Sequence, residues 1–285
     1  MSLLLYPQVV LTLWAPLLMW LLAWVTRHWR QGLAPRDGLR VSLGLLLLPA
    51  LAWWVPYLPH LPLRDALPYR VPVAWGVYNG GPGLSQAEWW ALTLPSAVAF
   101  GSMVWAGLYG LAEEMAARWR VRRLPQRRAA GLTVLDVPGD LAFTLGLLRP
   151  RIYLSRAVWE GPHCGAVLAH EQAHARSRHG LWLALARWSR RSLWPWRWTG
   201  DLLREVQTWA ELVADEHAVR AAGKSALARA LKALLPGPGP APALSFAAPD
   251  TLTRRVQSLL RPGQSLSLLS RLGLALLFLA LLILV

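Results

Sequence analysis

Cysteine is almost missing. Cys164 is the single one in 285 residues, so no internal disulfide can form, and a cysteine-based structural metal site is excluded. Lysine is nearly as scarce, since Lys224 and Lys232 are the only lysines among 30 basic residues. Acidic residues number 15, half the basic count, which leaves a formal net charge of +15. Charged residues make up only 16% of the chain against 55% hydrophobic, too apolar for one ordinary soluble domain. An arginine excess of this size raises nucleic-acid binding as a function. The arginines, however, crowd the ends of uncharged runs, a distribution that membrane topology explains more simply. Direct nucleic-acid binding is therefore not expected. The 18 tryptophans, many beside arginine, suit a membrane–water interface.

Four apolar runs organise the chain. Residues 3–25 carry no charge over 23 positions, enough to cross a hydrocarbon core of about 30 Å. Residues 41–58 and 91–112 follow, the third run ending at Glu113 and Glu114. Between the first two lies a short basic loop with Arg27, Arg30, Arg36 and Arg40. After the third come Arg118, Arg120, Arg122, Arg123, Arg127 and Arg128. The positive-inside rule puts both basic stretches in the cytoplasm and the N-terminus outside. The Pro- and Gly-rich connection 59–86 is expected to face outward. Residues 266–285 form the last run, a fourth span in which Arg271 must snorkel. The expected fold is a mainly α membrane protein with four transmembrane helices. A cytosolic α+β domain is expected between the third and fourth: 1–112 membrane, 113–265 cytosolic domain, 266–285 membrane.

Inside that middle region the pattern changes. Residues 133–137, 141–145 and 151–154 look like strands. Residues 181–198 hold five tryptophans interleaved with arginines and read as a segment lying in the interface, in contact with lipid. A Pro/Gly tract, 236–242, cannot be helical. Residues 251–260 read as a short basic amphipathic helix.

The chemistry centres on His170-Glu171-Gln172-Ala173-His174. Two histidines at i and i+4 share one helix face, so both imidazoles can reach one zinc ion, and the intervening glutamate can take a proton from water there. A catalytic zinc site needs a third protein ligand and an open position. His179 follows closely, but on the same helix it would point away from the metal. His217 could serve in principle. Glu211, 41 residues beyond His170 on a separate helix, is the better candidate. Asp215 follows it at i+4 and can accept the second N–H of a ligating histidine. His179, His217 and Arg220 are also the available donors for an oxyanion.

The pair His170-Glu171-Gln172-Ala173-His174 and Glu211-Leu212-Val213-Ala214-Asp215 resembles the gluzincin layout of integral-membrane metallopeptidases. Residues Ala142 to Ser155, AFTLGLLRPRIYLS, resemble a stretch characteristic of the BlaR/MecR-type family, the peptidase part of β-lactam sensor-transducers. Leu193-Trp194-Pro195-Trp196 resembles that family's Trp- and Pro-containing stretch between its two ligand segments. The resemblance implies one zinc ion on His170, His174 and Glu211, with Glu171 as general base and Asp215 as an orienting acid. It also implies that Phe143, Thr144 and Leu145 form an edge strand that pairs with an extended peptide. In that family the fourth span leads to an external penicillin-binding sensor; this sequence, ending at Val285, is expected to lack it.

The expected function is a multi-pass membrane zinc endopeptidase with its site facing the cytoplasm. Its substrate would be a regulatory protein such as a winged-helix repressor of the BlaI kind, and oligomerisation is left open. The competing readings are an HtpX-like quality-control protease and a non-catalytic membrane transducer that retains the zinc fold.

Overall fold

The computed structural model describes residues 14–52, 86–129, 131–233, 249–260 and 263–284. The start of the first apolar run, the connection 59–85 and the Pro/Gly tract 236–242 lie outside the described residues. Helices α1 (Ala15–Val25), α2 (Arg27–Gln31), α3 (Pro35–Ala52) and α4 (Gln86–Arg122) lead into a small sheet. Its strands are β1 (Gln126–Ala129), β2 (Leu132–Leu135), β3 (Ala142–Leu145) and β4 (Arg151–Ser155). Helices α5 (Arg156–Glu160), α6 (Cys164–Arg176), α7 (His179–Ser192), α8 (Trp198–Ala222), α9 (Lys224–Ala233), α10 (Pro249–Leu260) and α11 (Leu268–Leu284) follow.

The expectation of four membrane spans and a multi-pass membrane location is overturned. Among the described residues, no helix is long and apolar enough to cross a membrane. A span needs about 20 predominantly apolar residues. The described part of the first run gives an 11-residue helix, and α11 has 17 residues. Helix α3 begins with Arg36, Asp37 and Arg40 and is interrupted by Pro49. Helix α4 is 37 residues long, but its apolar half contains Ser102, Gly107 and Gly110 and runs straight into Glu113 and Glu114. The apolar side chains of α3 have another use. Leu39, Leu43 and Leu46 pack with Leu202, Val206, Trp209 and Val213 of α8 in the main core.

Close contact between α3 and α8 depends on Gly38. A Cβ there would lie 2.4 Å from the Trp209 ring, so only glycine lets the indole lie against the helix. The same interface buries an ion pair. Arg30 donates through Nε and Nη2 to Glu205 at 3.0 and 2.9 Å, and its Nη1 donates to the Ala23 carbonyl. Ser42 Oγ and Trp209 Nε1 also donate to Glu205. These donors hold the Glu205 carboxyl below its usual range despite a burial penalty that pushes the other way.

Residues 181–198, expected to lie in a membrane interface, are mostly helix α7 wedged among α3, α4 and α8. Trp188 Nε1 donates to the Met103 carbonyl of α4, while Trp182 and Trp194 are exposed. The C-terminal segment is tied back to the start of the fold. Leu33 bridges Gln264, and the buried Asp37 accepts from the Leu266 N–H and the Arg271 guanidinium.

The sheet order is β1-β2-β4-β3, with β2 and β4 parallel and the outer strands antiparallel to their neighbours. Strand β3 therefore forms one edge, beside α6. Two glycines bring it there. Gly146 has φ 118°, where a Cβ would sit 2.7 Å from the Arg149 carbonyl, and Gly180 at the start of α7 closely approaches the Gly146 carbonyl.

Breaking a buried, multiply bonded ion pair costs about 3–5 kcal/mol because the surviving charge has no partner. Glu205→Ala should therefore lower unfolding stability by about that amount in a denaturant titration. A loss below about 1 kcal/mol would show that the pair is not a structural anchor.

Candidate metal centre

Helix α6 carries the H-E-x-x-H pattern and is held from beneath by Ala166, Val167 and Ala173, all buried. His170 and His174 sit one turn apart, with their Nε2 atoms 3.1 Å from each other. Glu211 of α8 completes a triangle. Its Oε2 is 3.4 Å from His170 Nε2 and its Oε1 is 3.5 Å from His174 Nε2. Three ligand atoms from His170, His174 and Glu211 therefore converge, all within 4.8 Å of one another, and could hold a metal ion. Tetrahedral ligands at about 2.0–2.1 Å from an ion stand roughly 3.3 Å apart, which is the spacing seen here.

Each imidazole has a neighbour at its outer nitrogen. His170 Nδ1 lies 3.0 Å from Asp215 Oδ1, near enough for a charge contact, although its alignment falls short of a hydrogen bond. His174 Nδ1 lies 3.0 Å from Nδ1 of His179. His179 does not continue the helix of His174. Helix α6 ends at Arg176 with Ser177 as its cap, Arg178 takes a left-handed backbone with φ 50°, and His179 opens α7 with its ring turned back toward the site. The expectation that it would point away assumed an unbroken helix. His217 instead accepts from Arg36 at 2.8 Å, and Arg220 pairs with Glu216, so neither joins the cluster.

Glu171 is buried and accepts from Thr144 Oγ1 at 2.7 Å, while its carbonyl stands 3.1 Å from the same hydroxyl. Burial pushes its carboxyl upward, partly opposed by His170. Thr144 thus holds the acid between the histidines, a contact that the sequence did not disclose. Phe143 stacks on Tyr153 of β4 at 5.2 Å, and Leu145 faces Arg151 in the register of the same pair of strands.

Arg255, on α10, is the residue that sequence reasoning missed. Its Nε and Nη2 donate to the two oxygens of Asp215, each at 2.7 Å, and Nη1 stands 3.2 Å from Glu211 Oε2. Asp215 is only 1% exposed, so this bidentate contact supplies most of its compensation. The signal was present but weak: an arginine in a short amphipathic helix looks like any solvated cation.

The two imidazoles titrate in opposite directions. Burial pulls His170 down, but Asp215 and Glu211 outweigh it and push it up to about 10. Burial, only partly offset by Glu211, takes His174 down to about 4. His179 is lowered to about 3, by burial and then by His174. Burial also works against ionisation of Glu211, but His174, His170 and Arg255 hold it well below the ordinary carboxylate range. With neutral imidazoles, the carboxylates Glu171, Glu211 and Asp215 face one guanidinium, Arg255. The excess of acidic over basic side chains suits a divalent cation.

No family model, curated protein or solved structure matches the chain.

Ligation needs neutral imidazole. At pH 7 His170 is protonated and His174 is not, so metal uptake should expel about one proton. Calorimetry in two buffers of different ionisation enthalpy measures this, and a release near zero would contradict the assignment of charge. Arg255→Ala should weaken divalent metal binding by about 10- to 100-fold in a chelator competition, the usual cost of losing an outer partner. Unchanged affinity would reduce Arg255 to a surface ion pair.

Proposed function

We propose that the chain is a zinc-dependent metalloendopeptidase of the BlaR/MecR kind that cleaves a regulatory protein in signal transduction. The observation that carries this reading is the triangle of His170 Nε2, His174 Nε2 and Glu211 oxygens at 3.1, 3.4 and 3.5 Å. Two imidazoles and one carboxylate are a donor set typical of catalytic zinc, with three protein ligands and room for a fourth. Zinc bound there would supply Lewis acidity toward a peptide carbonyl and lower the pKa of water.

The protein's own groups supply the rest. Glu171 takes the proton from the attacking water and passes it to the departing amine. Thr144 fixes the carboxylate for that task through its 2.7 Å bond. Burial raises the affinity of Glu171 for a proton, which suits a base that must hold one between two steps. Asp215, backed by Arg255, orients His170, and His179 flanks His174. Strand β3 lies at the sheet edge and leads through Thr144 to Glu171. An extended peptide added to that edge would run past the base, with main-chain hydrogen bonds supplying affinity. The substrate assignment, a regulator such as a BlaI-like repressor, rests on the resemblance of residues 142–155 and 193–196.

Purified wild type and Glu171→Gln are compared on candidate winged-helix repressors, with and without chelator. The variant should lose about 100- to 10,000-fold in rate while still binding metal, and chelator should stop the wild type. Equal cleavage by both proteins would remove the peptidase reading.

A further inference from the structure

A cavity of about 540 Å³ lies beside the metal centre, with Glu211 in its wall. One side is a single face of α8, marked by Trp198, Leu202, Glu205, Thr208 and Glu211 at helical spacing. From Glu211 to Trp198 this face covers about 20 Å at 1.5 Å per residue, the length of about six residues of extended chain. The other walls come from α1, α2, α7 and α10.

Charge in this cavity is unbalanced. Arg30 is committed to Glu205, Arg204 pairs with Asp201, and Glu211 faces the histidines and Arg255. Arg27, Arg187 and Arg254 also line the cavity. None of them is in direct ion-pair contact with a carboxylate among the described residues, although Glu113 and Glu114 act on Arg187, and Glu205 on Arg254, from farther away. Arg254 lies over the Trp209 ring at 4.6 Å, and its Nη2 is buried without an acceptor. Trp198 Nε1, in the same wall, is likewise buried without one. Burial pulls the Arg187 and Arg254 guanidiniums below their usual range, only partly offset by Glu113 and Glu114 for Arg187 and by Glu205 for Arg254. An unmet buried donor is costly, and a carboxylate accepts from guanidinium in the strongest geometry available to side chains. Between the cations the surface is apolar, with Trp20, Trp24, Leu183 and Leu202.

We infer that this cavity is a substrate subsite that takes an extended peptide stretch, on one side of the scissile bond, in which an Asp or Glu is flanked by apolar residues. The inference rests on the peptidase reading and adds a substrate class to it. The acid binds away from the bond that is cut, because Glu171, Glu211 and Asp215 repel a further carboxylate beside the metal centre. Arg187 and Arg254 are the specificity-determining residues.

The test is cleavage-site profiling of a proteome-derived peptide library by full-length, zinc-supplied protein. Wild-type cut sites should be enriched in Asp or Glu at a fixed position within about six residues on one side only. Arg187→Gln/Arg254→Gln should erase that enrichment and raise KM for an acidic peptide about tenfold or more, the effect of losing a charge-assisted bond. Arg187→Glu/Arg254→Glu should move the preference to Lys or Arg at the same position, a gain that misfolding cannot imitate. If the charge-reversed protein cuts nothing, the Gln pair decides. Cleavage by wild type without acidic preference, or with a preference that both double variants keep, overturns the subsite and leaves the peptidase reading standing. A wild type that cuts no peptide overturns both.

Discussion

A buried carboxylate sets the geometry of this protein. Asp215 is almost sealed from solvent, and a charge in that position costs several kcal/mol unless it is paired. Its partners come from two other helices: Arg255 from α10 and His170 from α6. The three helices must therefore meet at Asp215, and their meeting brings Glu211, one turn earlier on α8, up to the two histidines. The tie of Asp37 to Leu266 and Arg271 fastens the segment that follows α10 to the start of α3. Stability and chemistry thus draw on the same contacts.

The metal triangle is asymmetric behind its ligands. His170 is backed by an ionised acid, and His174 by a neutral imidazole. The ring facing the acid is the more basic, so the site without metal keeps a proton on His170. A divalent cation bound there would replace that proton and balance the surplus acids. Thr144 extends the order outward, connecting Glu171 to the edge strand. The edge strand adjoins this group of side chains through Thr144, and the cavity along α8 adjoins it through Glu211.

Much of the site was legible because its determinants are local. Spacing of i and i+4 places His170 with His174, and Glu211 with Asp215, whatever the rest of the chain does. Strands β2, β3 and β4 showed in their β-branched and aromatic residues, whereas β1, with Arg127 and Arg128, is an exposed edge whose charges conceal it. His179 was misplaced because a left-handed residue without glycine, Arg178, breaks the helix, and no composition signal marks that. Arg255 was hidden among other arginines. The reading of the apolar runs as spans failed on the same ground. A helix apolar on most sides is buried, but its pattern does not say in what. For α3 the burial is against α8, where Gly38 accommodates Trp209.

We propose that His170, His174 and Glu211 together hold one zinc ion. X-ray absorption spectroscopy of the purified, metal-supplied protein addresses it directly, with metal content measured on the same sample. One zinc per chain is expected, with two imidazole nitrogens and light oxygen donors at about 2.0–2.1 Å, and loss of the signal in His174→Ala. Substoichiometric metal, or zinc bound without imidazole scattering, would contradict it.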